Sequence, residues 1–336
     1  MKTILTGIRS NSVLTLGNYL GALLPMVRLA NQHSDTMHVN IFVPDLHSII
    51  ADIDGNLQDN IVRTIKYYLA AGLKLNDNIH IYRQSYVPTH SELCWILNCI
   101  ATMGEASRMT QYKEKSNGQA SCNVGIFDYP ILMAADILLY HATYVPIGED
   151  QFQHIELTRN LAERFNRRYG DTFTIPANTA EQVKFMQLKD GVRIRDLLNP
   201  EKKMSKSTPA ENSKIMLDDD PTRAAKKIMS ATTDSFGRVK YDLQSQPGIS
   251  NLLQIESLIT DTPLDEVIAR WNGETRYGEL KKQVATSVSN LLSDFQSRLA
   301  TISDAEVYQL FETGEIYANQ VSQTTLLAAQ KAIGLR

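Results

Sequence analysis

The sequence predicts an α/β protein with a parallel sheet in its first half and helices in its second. Short apolar runs alternate with amphipathic stretches up to about residue 170, an order typical of βαβ units with parallel strands. From residue 221 onward almost every segment has helical periodicity, with breaks near Gly237, Pro247 and Gly273. Because 336 residues is long for one domain, we divide the chain into a Rossmann-like nucleotide-binding domain, 1–198, and an all-helical domain, 199–336.

Each element follows from the local pattern. Strand-like runs occupy residues 3–6, 39–43, 79–84 and 143–147. Helical periodicity predicts helices at residues 17–32, 57–73, 91–103, 130–140, 149–169 and 324–333. Gly72 is placed to end the second helix, and Thr89 or His90 is a candidate cap for the third. Residues 107–123 are polar, and an apolar–polar alternation at 183–188 leads into a basic loop at 202–207. The last helix is expected to fold back onto the first domain.

The charge balance excludes a protein that coats nucleic acid unspecifically. The net charge is −3, whereas such binding needs many Lys and Arg contacts to phosphate. An RNA partner that needs only local basic patches stays open, and each candidate run taken alone is better explained as a solvated helix face. The three runs are Lys202, Lys203 and Lys206; Arg223, Lys226 and Lys227; and Arg164, Arg167 and Arg168.

No apolar run reaches the roughly 18–20 residues that a membrane-spanning helix needs, so we expect no membrane association. Residues 1–7 are too short in their apolar part for a signal peptide, and we expect a cytoplasmic protein. The three cysteines, Cys94, Cys99 and Cys122, form neither a disulfide framework nor a zinc motif. The histidines are scattered without metal-ligand spacing, so no structural metal is expected.

A nucleotide is expected at the carboxyl ends of a parallel sheet, yet two common fingerprints are absent. The chain has neither a Gly-x-x-x-x-Gly-Lys-Ser/Thr loop nor a Gly-x-Gly-x-x-Gly turn, which disfavours kinases and dehydrogenases. Two other segments suit phosphate. Thr15-Leu16-Gly17-Asn18 opens the first helix, where backbone N–H groups and the helix dipole favour anions. Lys203-Met204-Ser205-Lys206-Ser207 places two mobile ammonium groups in a polar loop, where they can follow negative charge onto a leaving group.

These two segments resemble the two signatures of the class I aminoacyl-tRNA synthetases. Further stretches resemble the tryptophan-specific branch of that family, and tyrosine-specific enzymes are the nearest alternative. The stretches are Met109-Thr110-Gln111-Tyr112-Lys113-Glu114-Lys115, Met133-Ala134-Ala135-Asp136, Val145-Pro146-Ile147-Gly148-Glu149-Asp150-Gln151, His154-Ile155-Glu156-Leu157-Thr158-Arg159 and Pro247-Gly248-Ile249-Ser250-Asn251-Leu252-Leu253. The resemblance covers nearly the whole chain. Arg9 and Leu5 depart from the family pattern, as does Ser10-Asn11-Ser12, where the family usually has Pro-Ser/Thr-Gly.

The resemblance implies a ligase that activates L-tryptophan with ATP and Mg²⁺ and then transfers it to a terminal ribose hydroxyl of tRNA. It also implies a homodimer and a helical domain that binds the anticodon. The catalytic residues implied are Thr15, Asn18, Lys115, Lys203 and Lys206. The ATP-binding residues implied are Arg9, Gly17, Asn18, Gly148, Asp150, Arg193, Lys203, Met204, Ser205 and Lys206. The tryptophan-binding residues implied are Leu5, Gly7, His47, Tyr129, Met133, Asp136, Val145, Ile147 and Gln151.

One of these residues also stands out without the resemblance. Tyr129, Met133, Asp136 and Tyr140 recur at helical spacing, so they share one face of a helix. Such a stripe is usually core, but a carboxylate within it is too costly to lack a partner. An indole N–H is the donor it fits. A synthetase-like protein that binds RNA or tryptophan without catalysis is the competing hypothesis, and the intact lysines of the second signature argue against it.

Overall fold

The computed structural model describes residues 1–7, 13–50, 56–116, 123–186 and 193–336. Its centre is a four-stranded sheet in the order β3-β2-β1-β4. All three strand pairs are parallel, which confirms the predicted fold class. The strands are β1 Lys2–Gly7, β2 Met37–Val43, β3 Ile79–Arg83 and β4 Ala142–Tyr144. The last strand is shorter than predicted, and Pro146, which lacks a backbone donor, follows close behind it.

Successive strand residues point to opposite faces of the sheet, and each face carries its own core. Ile4, Ile41 and Ile81 belong to one buried cluster, whereas their neighbours Leu5, Phe42 and Tyr82 belong to the other. Both faces are therefore covered, as parallel sheets require. The first cluster takes side chains from both sides of residue 198, so the two predicted domains share a core, and the division at that residue stays a prediction.

The helices before β4 mostly follow the predicted ones. The polar stretch at 107–123 contains α7, and the helix predicted from Pro130 begins at Val124, where the Asn123 side chain accepts from the Ile126 N–H. Pro130 removes one backbone donor without ending that helix. The helices are α1 Leu16–Asn18, a π-helical turn Tyr19–Leu23, α2 Leu24–His33, α3 Asp45–Ser48, α4 Leu57–Ala70, α5 Thr89–Asn98, α6 Met103–Ala106, α7 Thr110–Ser116 and α8 Val124–Leu138.

The second half of the chain is helical, as predicted. Residues 183–186 of the apolar–polar alternation are helical, and residues 187–188 lie outside the described part. The helices are α9 Phe152–Tyr169, α10 Thr179–Met186, α11 Pro221–Met229, α12 Pro247–Thr260, α13 Leu264–Trp271, α14 Tyr277–Thr301 and α15 Asp304–Ala332. Short 3₁₀ turns occur at Gln84–Tyr86, Glu149–Gln151 and Glu211–Ser213.

The helix expected at 324–333 is the end of a single helix of 29 residues, α15. It begins at Ser303, whose side chain forms a capping box with Glu306, a start signal that periodicity alone did not reveal. α15 crosses β3 so closely that a Cβ on Gly314 would overlap the Ile81 carbonyl oxygen. Glu315 pairs with Arg83 at the end of β3, with 2.6 Å between Oε1 and Nε. The last helix therefore covers the edge of the sheet.

Candidate active site

A cavity of about 720 Å³ opens at the carboxyl ends of β1 and β2 and at the segment after β4. Thr6 lines it from the end of β1, Pro44 from the residue after β2, and Val145 from the residue after β4. Gly21 and Met26 line it from the helix that follows β1. This is the edge at which parallel α/β sheets bind ligands.

All nine residues expected to contact the amino acid line this one cavity, although they come from four separate parts of the chain: β1, the segment after β2, α8 and the segment after β4. They are Leu5, Gly7, His47, Tyr129, Met133, Asp136, Val145, Ile147 and Gln151. Gly148 and Asp150, expected to contact ATP, line it too. A Cβ on Gly148 would lie 2.7 Å from Oδ1 of Asp150, so glycine is what lets that carboxylate lie against the backbone.

Asp136 is the buried carboxylate of the cavity, with 1% of its surface exposed. Its Oδ2 lies 2.8 Å from Nε2 of His47, and its Oδ1 lies 2.6 Å from Nδ1 of His90 and 2.7 Å from Nε2 of Gln84. Burial opposes ionisation of the carboxyl, but the hydrogen bonds from His47 and His90 outweigh it and hold the pKa of Asp136 at about 2. The carboxylate is therefore charged at neutral pH.

This arrangement corrects the expectation that Asp136 depends on the substrate for its hydrogen-bond donor. Asp136 has three hydrogen-bond partners within the protein itself, so a substrate that lacks an N–H would not leave it unpaired. Tyr140 does not line the cavity, because its hydroxyl lies behind Asp136, 2.9 Å from Nε2 of His90. The predicted helix cap at Thr89 or His90 was wrong, because both residues lie within α5, which follows Pro88 and has no side-chain cap.

A second polar group lies where the cavity meets α7. Tyr129 donates its hydroxyl to Oε1 of Gln111 at 2.8 Å, and Nε2 of His154 lies 3.0 Å from the same hydroxyl. Gln151 donates to Oδ2 of Asp150 at 3.0 Å, and Gln111 lies 3.5 Å from that oxygen. The sequence predicted no site role for Gln111 or Gln84, and it indicated His90 only as a candidate helix cap. Gln111 lies in a stretch that resembles the family, which is the one signal that could have found it.

The backbone N–H groups of the first signature are less available to a ligand than predicted. Thr15 caps α1: its Oγ1 accepts from the Asn18 N–H at 3.1 Å, and the Asn18 side chain binds Thr15 in return. The Leu16 N–H donates to the Ile215 carbonyl at 2.8 Å. Two backbone donors that we expected to be free for phosphate are thus engaged within the protein.

The two signatures contact each other. A Cβ on Gly17 would lie 3.3 Å from Cβ of Met204 and 3.5 Å from Cβ of Ile194. Met204, predicted to bind ATP, is 2% exposed, and its N–H donates to the Ile194 carbonyl at 3.0 Å, so the residue packs in the core. Gly17 therefore allows the second signature to pack closely against α1, whereas we expected it to let a ligand approach the backbone. Gly21, in the π-helical turn that follows α1 directly, lines the cavity, so the cavity and the contact between the signatures meet the same helical segment.

Of the remaining predicted residues, Ser205 is half-buried and lies 2.9 Å from Ser207, hydroxyl to hydroxyl, and the others lie on the surface or outside the described part. Lys203, Lys206 and Arg193 are exposed. Lys214 holds the backbone of the loop that carries the lysines, because it donates to the carbonyl oxygen of Lys206 at 2.6 Å. The backbone of Lys115 lies in α7, but its side chain lies outside the described residues, as does all of Arg9.

Two of the three basic runs are partly used within the protein. Lys227 is 4% exposed and lies 2.5 Å from Oδ2 of Asp219. Arg164 lies 2.5 Å from Glu105, and this pairing lowers the pKa of the Glu105 carboxyl to about 2. Lys227 and Arg164 thus form ion pairs within the protein and do not belong to a solvated helix face.

The parallel sheet, the cavity at its carboxyl edge and the contact between the two signatures define a class I aminoacyl-tRNA synthetase. A family model described as tRNA synthetases class I (W and Y) matches residues 1–293. The chain belongs to this family and is a ligase.

Similar proteins narrow this assignment to the tryptophan branch. The chain is 44% identical over 336 residues to the tryptophan–tRNA ligase of Caldanaerobacter subterraneus subsp. tengcongensis, covering 100% of this chain and 99% of that protein. The crystal structure of tryptophanyl-tRNA synthetase from Mycoplasma pneumoniae is similar with a TM-score of 0.82 and 34% identity, covering 100% of this chain and 98% of that one. The enzyme from Campylobacter jejuni, complexed with ADP and tryptophan, gives a TM-score of 0.77 at 26% identity, covering 99% of each chain. The expected branch is thereby confirmed.

Proposed function

We propose that this enzyme activates L-tryptophan with ATP, releasing pyrophosphate, and then transfers tryptophan from the adenylate to its tRNA. The observation that carries the proposal is the cavity itself. The cavity is large enough for an indole, and its walls are mostly apolar. Asp136, whose carboxylate is ionised, is one of its lining residues. An aromatic ring that carries one N–H donor fits such a site, because the donor meets a charged acceptor while the ring meets apolar walls.

ATP is expected to lie beside the amino acid, between the cavity rim and the lysine loop. We propose that Gly148 and Asp150, which line the cavity, bind the ribose, and that Asn18 and the lysine loop bind the phosphates. Adenylate formation depends on positioning and charge stabilisation more than on a protein nucleophile. No group of three or more His, Cys, Asp or Glu residues suited to a metal occurs among the described residues. We propose that Mg²⁺ enters as part of Mg·ATP, held mainly by phosphate oxygens.

We also propose that Lys203 and Lys206 carry the catalytic charge. Lys203 and Lys206 are both exposed. The backbone between them is held in place because Met204 packs in the core and Lys214 donates to the Lys206 carbonyl oxygen. Fixed anchors with long side chains allow the charge to follow the pyrophosphate as it leaves. Thr15 supports this geometry by capping the helix against which Met204 packs, and Arg193, Ser205, Lys115 and Arg9 remain proposed ATP contacts.

The partners follow from the proposed reaction. We propose that tRNA binds the helical half of the chain and that the enzyme is a cytoplasmic homodimer. Three large apolar side chains on neighbouring helices support a protein interface: Trp95, Met103 and Val124 are 71%, 73% and 78% exposed.

Within the described residues, every helix is too short or too polar to span a membrane.

ATP–pyrophosphate exchange with each of the twenty amino acids tests the proposal. We expect exchange that depends on L-tryptophan and on Mg²⁺, with tyrosine and phenylalanine at least a hundredfold less efficient. Tyrosine-dependent exchange of equal efficiency would indicate the alternative specificity. Binding of tryptophan without any exchange would indicate a non-catalytic relative.

A further inference from the structure

Two side chains hold Asp136 from behind the cavity. Gln84 and His90 are each 0% exposed, and neither lines the cavity. Both bind Oδ1 of Asp136, at 2.7 Å and 2.6 Å. His47, which does line the cavity, binds Oδ2 at 2.8 Å.

The carboxylate of Asp136 can therefore accept a further hydrogen bond through one of its two oxygens. An ionised carboxylate offers about four lone-pair sites, two on each oxygen. The two donors from Gln84 and His90 use those on Oδ1, and His47 uses one on Oδ2. The site that remains is on Oδ2, next to the histidine that faces the cavity.

The geometry behind Asp136 is fixed by α15. Asn319 donates to the Tyr86 carbonyl at 3.0 Å, and Thr89 donates to Oγ of Ser322 at 2.8 Å. Gln330 donates to Glu92 at 2.5 Å, and Arg83 pairs with Glu315. The segment that carries Gln84 and His90 is thus attached to one rigid helix along its whole length. Supporting contacts of this kind fix the rotamers of residues that orient a site.

We propose that Gln84 and His90 are positioning residues for amino-acid selection, which direct the one free acceptor site of Asp136 toward the side-chain N–H of the substrate. The inference rests on the proposed function and names residues that the substrate does not touch. Gln84 is suited to this role because its described side-chain hydrogen bond goes to Asp136, and its Oε1 is buried without a partner.

The test compares L-tryptophan with 3-benzothienyl-L-alanine, in which sulfur replaces the indole N–H at nearly the same size. We expect wild type to prefer tryptophan in ATP–pyrophosphate exchange. Gln84→Leu and His90→Leu should lower kcat/KM for tryptophan roughly 10-fold to 100-fold, the range for losing a hydrogen bond to a charged group. The change should lie mainly in KM. The value for the benzothienyl analogue should change about twofold or less, because that substrate makes no use of the acceptor.

Two variants separate positioning from a structural role. His90→Asn keeps a donor near the position of Nδ1 and should recover most of the preference even if His90→Leu fails to fold. Gln254→Leu is the matched control, since Gln254 is buried, donates to the Tyr241 hydroxyl at 3.0 Å and has an unpartnered Oε1. It should leave the preference unchanged.

Equal losses for both substrates in Gln84→Leu would overturn the inference, as would a His90→Asn variant as poor as His90→Leu. A wild type that activates both substrates equally would also overturn it while leaving the proposed function standing. A wild type that does not activate tryptophan would overturn the proposed function itself.

Discussion

At the residue scale, the cavity shows how far single positions can be interpreted from a sequence. Asp136 was predictable because a carboxylate in an apolar helical stripe is costly and needs a partner. Gln84 and His90 were not, because they follow a different strand and reach Asp136 only through the fold. The sequence shows spacing along an element, whereas contacts between elements depend on register and packing.

The lysines of the second signature give a residue-scale prediction. Replacing Lys203 or Lys206 by Ala should lower the rate of adenylate formation roughly 10²-fold to 10³-fold, the scale for losing one preorganised stabilising group. Tryptophan affinity measured without ATP should barely change, since the loop does not line the cavity. Lys202→Ala, one position away in the same loop, is the control. Unaltered pyrophosphate exchange in both variants would refute the assignment.

At the element scale, α15 is the main difference between expectation and structure. Its last third was predictable from periodicity, but its start depended on the capping box of Ser303 and Glu306. Its course across β3 depends on Gly314, where any side chain would meet the Ile81 backbone. A glycine within a helical pattern lowers the expectation of a helix, although here it marks a close approach to a neighbouring strand.

The ion pair between α15 and β3 should matter for stability. Arg83 and Glu315 are 7% and 11% exposed at their side chains, and the guanidinium also stacks 3.4 Å from the centroid of the Tyr86 ring. Glu315→Ala leaves a buried, unpaired charge, so we expect a loss of about 3 kcal/mol in the free energy of unfolding.

The control for Glu315→Ala is Asp304→Ala on the same helix. Asp304 is 68% exposed and pairs with Lys66 on α4. Such a surface pair should contribute less than about 1 kcal/mol. Urea unfolding of the two variants would measure both effects. Equal costs would show that the Arg83–Glu315 pair is not specially important.

A histidine between the sheet and α15 should make stability depend on pH. His80 stacks on Tyr317 with ring centroids 3.3 Å apart and lies 3.4 Å from His38, nitrogen to nitrogen. Burial, with a smaller contribution from His38, lowers the pKa of His80 from 6.5 to about 4. The unfolded chain therefore binds this proton first, so the free energy of unfolding should decline as pH falls from about 6.5 to about 4.

His80→Gln should make that decline shallower. The difference between wild type and variant should be constant above pH 7, which serves as the internal control, and should shrink or reverse below about pH 6. Urea midpoints measured every half pH unit would show this. Parallel curves for the two proteins would contradict the assignment of the decline to His80.

At the scale of the whole molecule, the fold class, the family and the return of the last helix to the first domain were predictable, but the core that the two halves share was not. Side chains from both sides of residue 198 share the core on one face of the sheet, and α15 supports the segment behind Asp136 from the other end of the chain. Alternating strands and helices reveal a parallel sheet from local patterns. Which helix covers which edge depends on long-range packing, which one sequence does not display.

The central claim is that this molecule selects tryptophan through Asp136, and kcat/KM in ATP–pyrophosphate exchange tests it most directly. We expect Asp136→Ala to lose tryptophan activation and the discrimination against phenylalanine, with circular dichroism unchanged. Asp136→Asn should be milder, because its amide oxygen still accepts without charge assistance. Since three other donors satisfy Asp136, the discrimination should fall below the roughly 10⁴–10⁵ of a site left with an unpaired group. If Asp136→Ala activates tryptophan as well as wild type does, the carboxylate is structural and the claim is wrong.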